Sequence, residues 1–348
     1  MTSTRVKRRR RHGATSRNLL PGGLKPQPMP ALPKPMLCTL VAEPFDHPDW
    51  ILEPKYDGLR ILGRFDGKKL LLLSRYGAAQ NFQFPDIEAA LRESLSQSAI
   101  VDGEVVCFDE RGHTTFRSLQ QRFHLKNAAE VQARMKKYPA YVYLFDLLYL
   151  DRYDVTGLPL DERKPLLRDA VVWSDRVRWT PSHPEKGKEF WRQACRKHEE
   201  GIVGKDLKST YVPRRSRSWV KIKCIGRQEF VIGGFTDPRG SRVGFGALLV
   251  GYYSDDGKRL IYAGKVGTGF SREILVDLRK RLDALEQEVS PFDEGDPPAR
   301  PEVHWVKPRL VAEIAFAEWT QNNLLRQPRF EGLRPDKKPK DIRHERPV

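Results

Sequence analysis

Residues 53–60 run Glu53-Pro54-Lys55-Tyr56-Asp57-Gly58-Leu59-Arg60, one lysine in a charged turn between two apolar runs. Asp-Gly is a turn dipeptide, because Asp caps its own backbone and Gly accepts positive φ. The flanking runs, Trp50-Ile51-Leu52 and Leu59 with Ile61 and Leu62, have the composition of strands. A lysine fixed there has Arg60 as a cationic neighbour and is partly withdrawn from water. Both effects disfavour the ammonium, so the Lys55 pKa is expected to fall from about 10.4 toward neutrality. A neutral amine is a nucleophile. Taken alone, K-x-D-G is more often a hairpin turn with a solvated lysine, and the decision falls to the rest of the chain.

Working outward, 59–65 and 69–74 flank Asp66-Gly67 and have the pattern of a hairpin, which delivers Ser74-Arg75-Tyr76-Gly77 to a strand end. Helical spacing follows at 86–95, and 100–106 is an apolar strand interrupted by Asp102 and Glu104. Helices are expected at 116–123 and 128–137, a buried strand at 141–148, and amphipathic helices at 160–171 and 185–199. Short charged strands follow at 200–205 and 219–223. Near residue 225 the pattern changes. Strands at 229–236, 247–253 and 260–266, a helix at 271–288, a Pro-rich loop at 291–301 and a final strand at 310–317 suit a small barrel of the oligonucleotide-binding (OB) type. The expected division is a disordered basic tail (1–36), a first domain (37–225), the barrel (226–340) and a short C-terminal tail (341–348).

The 348 residues carry a net charge of +17. That excess points to a polyanionic partner, nucleic acid before membrane, and there is no run of about 18 apolar residues to span a bilayer. No acidic residue precedes Glu43, whereas nine Lys and Arg do. With Gly22-Gly23 and prolines at 21, 26, 28, 30, 33 and 35, this stretch has the composition of disorder. Its cluster Lys7, Arg8, Arg9, Arg10 and Arg11 is a candidate for DNA phosphate contacts, ahead of a nuclear address or a merely solvated tail. No apolar signal-peptide core follows it. Cys38, Cys107, Cys195 and Cys224 are widely spaced without C-x-x-C. Neither a zinc site nor a disulfide framework is expected, and a reducing compartment fits.

Charged clusters then recur in a fixed order: EPKYDGLR (53–60), SRYG (74–77), VDGEVV (101–106), YLFDLL (143–148), EGIVGK (200–205), WVKIK (219–223) and LRPDK (333–337). A charge inside an apolar strand is costly unless it is paired, hydrated or bound to a ligand. One such cluster is a sheet edge; seven in series are a site. Lys221 and Lys223 stand two apart, so on a strand both ammonium groups face one side and suit a phosphate. Glu104 and Glu200 are hard oxygen ligands fitted to Mg²⁺ beside a phosphate. Phe145 alternates with Asp146; it is either core or a stacking surface for a base.

This ordered set resembles that of the covalent nucleotidyltransferases, which comprise ATP-dependent DNA ligases, RNA ligases and mRNA capping enzymes. Within that group the chain is most similar to the ligase domain of bacterial ligase D of non-homologous end joining. PMLCTLVAEPFDHPDWILEPKYDGLR (35–60) and VAEIAFAEWTQNNLLRQPRFEGLRPDK (311–337) carry that likeness, which extends from 35 to about 340. It implies an α+β fold: a nucleotidyltransferase (adenylation) domain of antiparallel sheets with helices, then a C-terminal OB-fold β-barrel. It implies ATP as AMP donor with Mg²⁺ or Mn²⁺. Lys55 would take AMP from ATP, Glu53 would read the adenine amino group, and Phe145 would stack on the ring. Arg60 and Arg75 would contact ribose or the nick phosphate. Glu104 would contact the ribose or the metal, and Glu200 the metal. Lys221 and Lys223 would hold the α-phosphate, and Arg334, Asp336 and Lys337 the pyrophosphate leaving group. Arg75, Arg214 and Arg215, with the 7–11 cluster, would contact DNA. Gly226 marks a hinge.

The resemblance further implies a monomeric bacterial cytoplasmic protein acting on nicked or broken duplex DNA. It leaves open whether Ku is a partner. Gln327 departs from the histidine of many relatives, and 348 residues leave no room for the polymerase and phosphoesterase modules of multifunctional ligase D. The rival readings are an RNA ligase or capping guanylyltransferase, separated by offering ATP or GTP and then nicked DNA or RNA, and a DNA-end-binding protein with a dead pocket. The intact Lys55, Glu104, Glu200, Lys221 and Lys223 speak against the last.

Overall fold

A computed structural model describes residues 20, 22–31, 33–123, 125–197, 199–224 and 226–347; Lys7 and Arg8–Arg11 lie outside them. Strands β1 (Leu37–Leu40) and β2 (Trp50–Pro54) precede the lysine turn. Strands β3 (Leu59–Phe65) and β4 (Leu70–Ser74) follow it as an antiparallel hairpin with Phe65 opposite Leu70. That hairpin closes because the Asp66 carboxylate accepts the N–H groups of Lys68 (2.9 Å) and Lys69 (2.8 Å) while Gly67 takes a φ of 94°. Helix α1 (Pro85–Ser94) starts on a proline and buries Ile87 and Leu91. After β5 (Ala99–Cys107) come α2 (Phe116–Gln120) and α3 (Ala128–Lys137), capped by the Thr115 and Asn127 side chains. The first half continues with β6 (Ala140–Leu150), β7 (Tyr153–Asp154), α4 (Leu160–Ala170), β8 (Val177–Trp179), β9 (His183–Pro184) and α5 (Gly187–Arg196). It ends with β10 (Gly201–Asp206) and β11 (Arg215–Lys223).

These strands form two sheets, ordered β4-β3-β5-β6-β7 with β8 beside β6, and β1-β11-β10-β2-β9. Pairing is antiparallel except between β1 and β11 and between β6 and β8. The lysine turn is therefore not a hairpin. β2 belongs to one sheet and β3 to the other, so the turn crosses between them and leaves Lys55 at their junction. Gly58 is required there, since a Cβ would stand 2.4 Å from the Val105 carbonyl oxygen.

The second half holds β12 (Gly226–Thr236), β13 (Leu248–Tyr253), β14 (Leu260–Val266), α6 (Arg272–Asp283), β15 (Glu286–Gln287) and β16 (Val303–Phe316). Then come β17 (Glu318–Trp319), β18 (Leu325–Arg326) and β19 (Arg329–Leu333). The sheet order β14-β13-β12-β16-β15, with β19 against β16, makes the strand-rich OB-type unit. β16 starts at Val303 rather than near 310. Pro308 hid the longer strand; it falls in a bulge, where pairing with β12 jumps from Leu310 to Trp305. β17 to β19 were not anticipated, and α6 ends at Asp283 rather than 288. Among the described residues no helix is long and apolar enough to cross a membrane.

Three expectations need correction. First, the described part of 22–36 packs on the first domain instead of being disordered. Met36 is fully buried, Gln27 N–H donates to Arg152 O (2.7 Å), and the Tyr149 hydroxyl donates to Gln27 O (2.8 Å). Its prolines hold an extended chain against the sheet. Second, residues 341–347 are no free tail, because Ile342 enters the barrel core and accepts from Tyr253 N–H at 2.8 Å. Third, Cys195 and Cys224 form a disulfide, Cα atoms 5.1 Å apart, while Cys38 and Cys107 are free thiols. The docking of α5 on the β10 sheet brings Cys195 beside the residue that follows β11, a proximity that sequence spacing does not reveal.

Candidate active site

Lys55 N–H donates to Gly201 O (3.0 Å), which fixes the turn to the head of β10. Its ammonium pairs with Glu200, the residue before that strand. Burial alone would lower the Lys55 pKa, but Glu200, helped by Glu313 and Asp57, overcomes it and holds the ammonium above its ordinary range. The expected drop does not occur. Arg60 is not the neighbour of Lys55 that the turn implied: its guanidinium grips Asp102 across the strand pair (2.9 and 2.6 Å), and Asp102 also accepts from the Tyr211 hydroxyl at 2.7 Å. A lysine of the cleft whose pKa does fall is Lys221, pushed down to about 8 by burial and by Lys223.

Lys221 and Lys223 do face one side of β11, toward Lys55, and share the carboxylate of Glu345 (2.5 and 2.7 Å). Over the same cleft the barrel presents Arg334, Asp336 and Lys337. Arg334 grips Asp336 with two bonds of 2.9 Å, reaches Glu313 at 3.3 Å and lies 4.0 Å over the Phe116 ring of α2. Lys337 pairs with Glu229 (2.8 Å). Arg227 joins Asp57 of the lysine turn at 3.2 Å, so barrel and first domain meet through opposite charges around Lys55.

At another wall of the cleft Glu53 is buried between two lysines, Lys164 and Lys205, the latter at 2.6 Å. Lys205 is also 4.1 Å from the ring centres of both Phe145 and Trp219, and burial lowers its pKa. Phe145 borders the cleft, whereas Asp146 points to the opposite face of β6 and is sealed there by Arg163 (2.8 and 2.9 Å). Arg75 and Arg215 border the cleft, and Arg214 is exposed outside its lining.

Residues 35–223 match the family described as ATP dependent DNA ligase domain, and 241–337 match the ATP dependent DNA ligase C terminal region. The chain belongs to the ATP-dependent DNA ligase family. It is 38% identical over 326 residues to the multifunctional non-homologous end joining protein LigD of Pseudomonas aeruginosa, covering 92% of this chain and 38% of that protein. It is 30% identical over 319 residues to a probable DNA ligase of Dictyoglomus thermophilum, covering 83% of this chain and 54% of that one. The solved structure of mycobacterial DNA ligase D complexed with ATP and MES is 33% identical, with a TM-score of 0.64, over 89% of this chain and 98% of that one. The chain thus spans well under two thirds of the curated relatives' length.

In this ligase-family cleft, sequence reasoning missed Lys205, Glu229, Glu313 and Glu345, and behind its wall Lys164 and Arg227, which pair with Glu53 and Asp57. Lys205 stood inside the quoted EGIVGK cluster, two residues from Val203 on the cleft-facing side of β10, and that alternation was its signal. The others carry no local signal, because their partners lie far away in sequence.

Glu104, like Asp57 and Glu313, is a cleft carboxylate whose pKa is raised by burial. Burial pushes it up to about 8, against the pull of Lys55, Arg60 and Arg334. The native state therefore keeps a proton that the unfolded chain, with a pKa near the ordinary 4.5, has released. The stabilising effect is complete below about pH 4.5 and is lost as pH rises to about 8. Glu104→Gln removes this slope. The variant is expected to gain melting temperature relative to the parent as pH is raised from about 4.5 to about 8.5. A difference in melting temperature that stays constant across that range contradicts the assignment.

Proposed function

We propose that the protein is an ATP-dependent DNA ligase that carries AMP on Lys55 and seals 5′-phosphate/3′-hydroxyl breaks in duplex DNA. The observation that carries this reading is the convergence on one buried cleft of Lys55, the Lys221–Lys223 pair and the Arg334–Asp336–Lys337 loop, with Glu53 and Phe145 on the wall. Phosphoryl transfer asks mainly for placement and charge neutralisation, which this set supplies.

In the first step Lys55 Nζ gives one proton to solvent, and the freed lone pair attacks the α-phosphorus. A P–N bond forms, the bond to the bridging oxygen breaks, pyrophosphate leaves, and Nζ gives a second proton to solvent, leaving a phosphoramidate with one N–H on a neutral nitrogen and an anionic phosphoryl group. Lys55 is a nucleophile only once it is relieved of its contact with Glu200, which otherwise keeps the proton on it. Lys221 and Lys223 take up charge on the α-phosphate, and the barrel loop holds the departing pyrophosphate. Next, a 5′-phosphate oxygen at the break takes AMP from Lys55. The 3′-hydroxyl then attacks that phosphate and expels AMP. Glu53, held between Lys164 and Lys205, accepts from the adenine amino group, and Phe145 stacks on the ring.

The carboxylates fit a divalent cation of the Mg²⁺ kind, which needs only one or two carboxylates beside substrate phosphates and water. Among the described residues no group of three or more His, Cys, Asp or Glu gathers as a self-sufficient cage. Glu200, with Glu104, would hold the ion, which would neutralise phosphate charge. Arg75, Arg214, Arg215 and the Lys7–Arg11 cluster would meet DNA phosphates, and the link near Gly226 would let the barrel swing from nucleotide to DNA. Likeness to proteins named for non-homologous end joining supports double-strand break repair as the setting, with Ku a candidate partner.

Sealing of a 5′-phosphorylated nick tests this reading. With ATP and Mg²⁺ the protein is expected to join nicked duplex DNA, and to stop when the metal is chelated. Joining only a nick in RNA, or labelling only by GTP, contradicts it.

A further inference from the structure

The two lysines best placed for a phosphate are already gripping an anion. One Glu345 oxygen takes Lys221 Nζ at 2.5 Å and the other takes Lys223 Nζ at 2.7 Å. The three side chains are only 11–21% exposed, so the contact is not a screened surface pair. The segment that carries Glu345 is built onto the barrel. Glu345 N–H donates to Gln228 Oε1 (3.0 Å), and Gln228 Nε2 donates to Arg343 O (2.8 Å). The His344 ring sits 4.1 Å from Trp319 and 5.1 Å from Tyr252. A carboxylate spanning two ammonium groups presents the same pair of oxygens that a phosphate would present to them.

We propose that Glu345 is an internal phosphate mimic: the C-terminal segment latches the barrel to β11 through Lys221 and Lys223 and competes with the phosphates of ATP for them. The inference rests on the ligase reading above. Loading of nucleotide then requires Glu345 to release both lysines, and the cost of that release appears in the affinity for ATP, not in the chemical step.

The test uses the full chain, Glu345→Gln, and a version truncated after His344. AMP transfer from labelled ATP is followed across an ATP titration. Both variants are expected to show a KM for ATP lower by about three- to tenfold, with the rate at saturating ATP unchanged. Calorimetry with inorganic phosphate, the anion that these two lysines would take in place of Glu345, is expected to show tighter binding by a similar factor. Glu318→Gln, on the exposed β17, serves as the control and is expected to match the parent. An unchanged or raised KM in Glu345→Gln, or unchanged or weaker phosphate binding, overturns the proposal, whether or not the truncated chain folds. A parent chain that accepts no AMP contradicts the ligase reading instead, and the phosphate comparison still decides the role of Glu345.

Discussion

Lys55→Ala is expected to take no label from ATP and to seal no nick, a loss of at least about 10⁴-fold. The size of the effect follows from the absence, among the described residues in and around the cleft, of an amine free to substitute. Lys221 and Lys223 are engaged by Glu345, Lys337 by Glu229, and Lys164 and Lys205 by Glu53. None of these amines can stand in without breaking an ion pair and moving to the turn. The variant still folds, because Arg227 and Lys223 also stabilise the Glu200 carboxylate that loses its partner. Circular dichroism checks the fold, and gel-based sealing checks the activity. Residual sealing above about 1% of the parent rate would mean that another group carries AMP.

The second large effect lies away from the cleft. Arg163→Ala leaves the fully buried Asp146 carboxylate without its guanidinium, and it also strips a donor from Ser209 O (3.0 Å). Removing one partner of a buried pair costs about 3–5 kcal/mol. The denaturant transition of the first domain should move by that amount, while label transfer per folded molecule is retained, since neither group borders the cleft. Replacing Asp146 and Arg163 together by apolar residues should cost less than the single change. A shift under about 1 kcal/mol for Arg163→Ala would show that the pair is not what holds β6 to α4.

The sequence made the strand alternation legible: Lys221 and Lys223 were placed on one side of a strand from a two-residue spacing, and that is where they are. The OB-type barrel was legible for the same reason, since period-two patterns and Gly or Asp turns are local. What escaped was every property set by a distant partner. Arg60 stands five residues from Lys55 yet answers to Asp102, so the expected fall in the Lys55 pKa became a rise under Glu200. Asp146 looked like a member of the site and is a structural charge, because Arg163 arrives on a helix 17 residues later. Glu345 sits in a short polar stretch that reads as a tail, and only the folded barrel brings it 122 and 124 residues back to its lysines. Cys195 and Cys224 met for the same reason.

The claim on which the rest depends is that one side chain at the junction of the two sheets is covalently loaded. Intact-protein and peptide mass spectrometry after exposure to ATP and Mg²⁺ tests it directly. The expected result is a single AMP adduct on the peptide containing Lys55, reversed by added pyrophosphate and released by nicked DNA. No adduct with any divalent ion, or an adduct on a different residue, would contradict it.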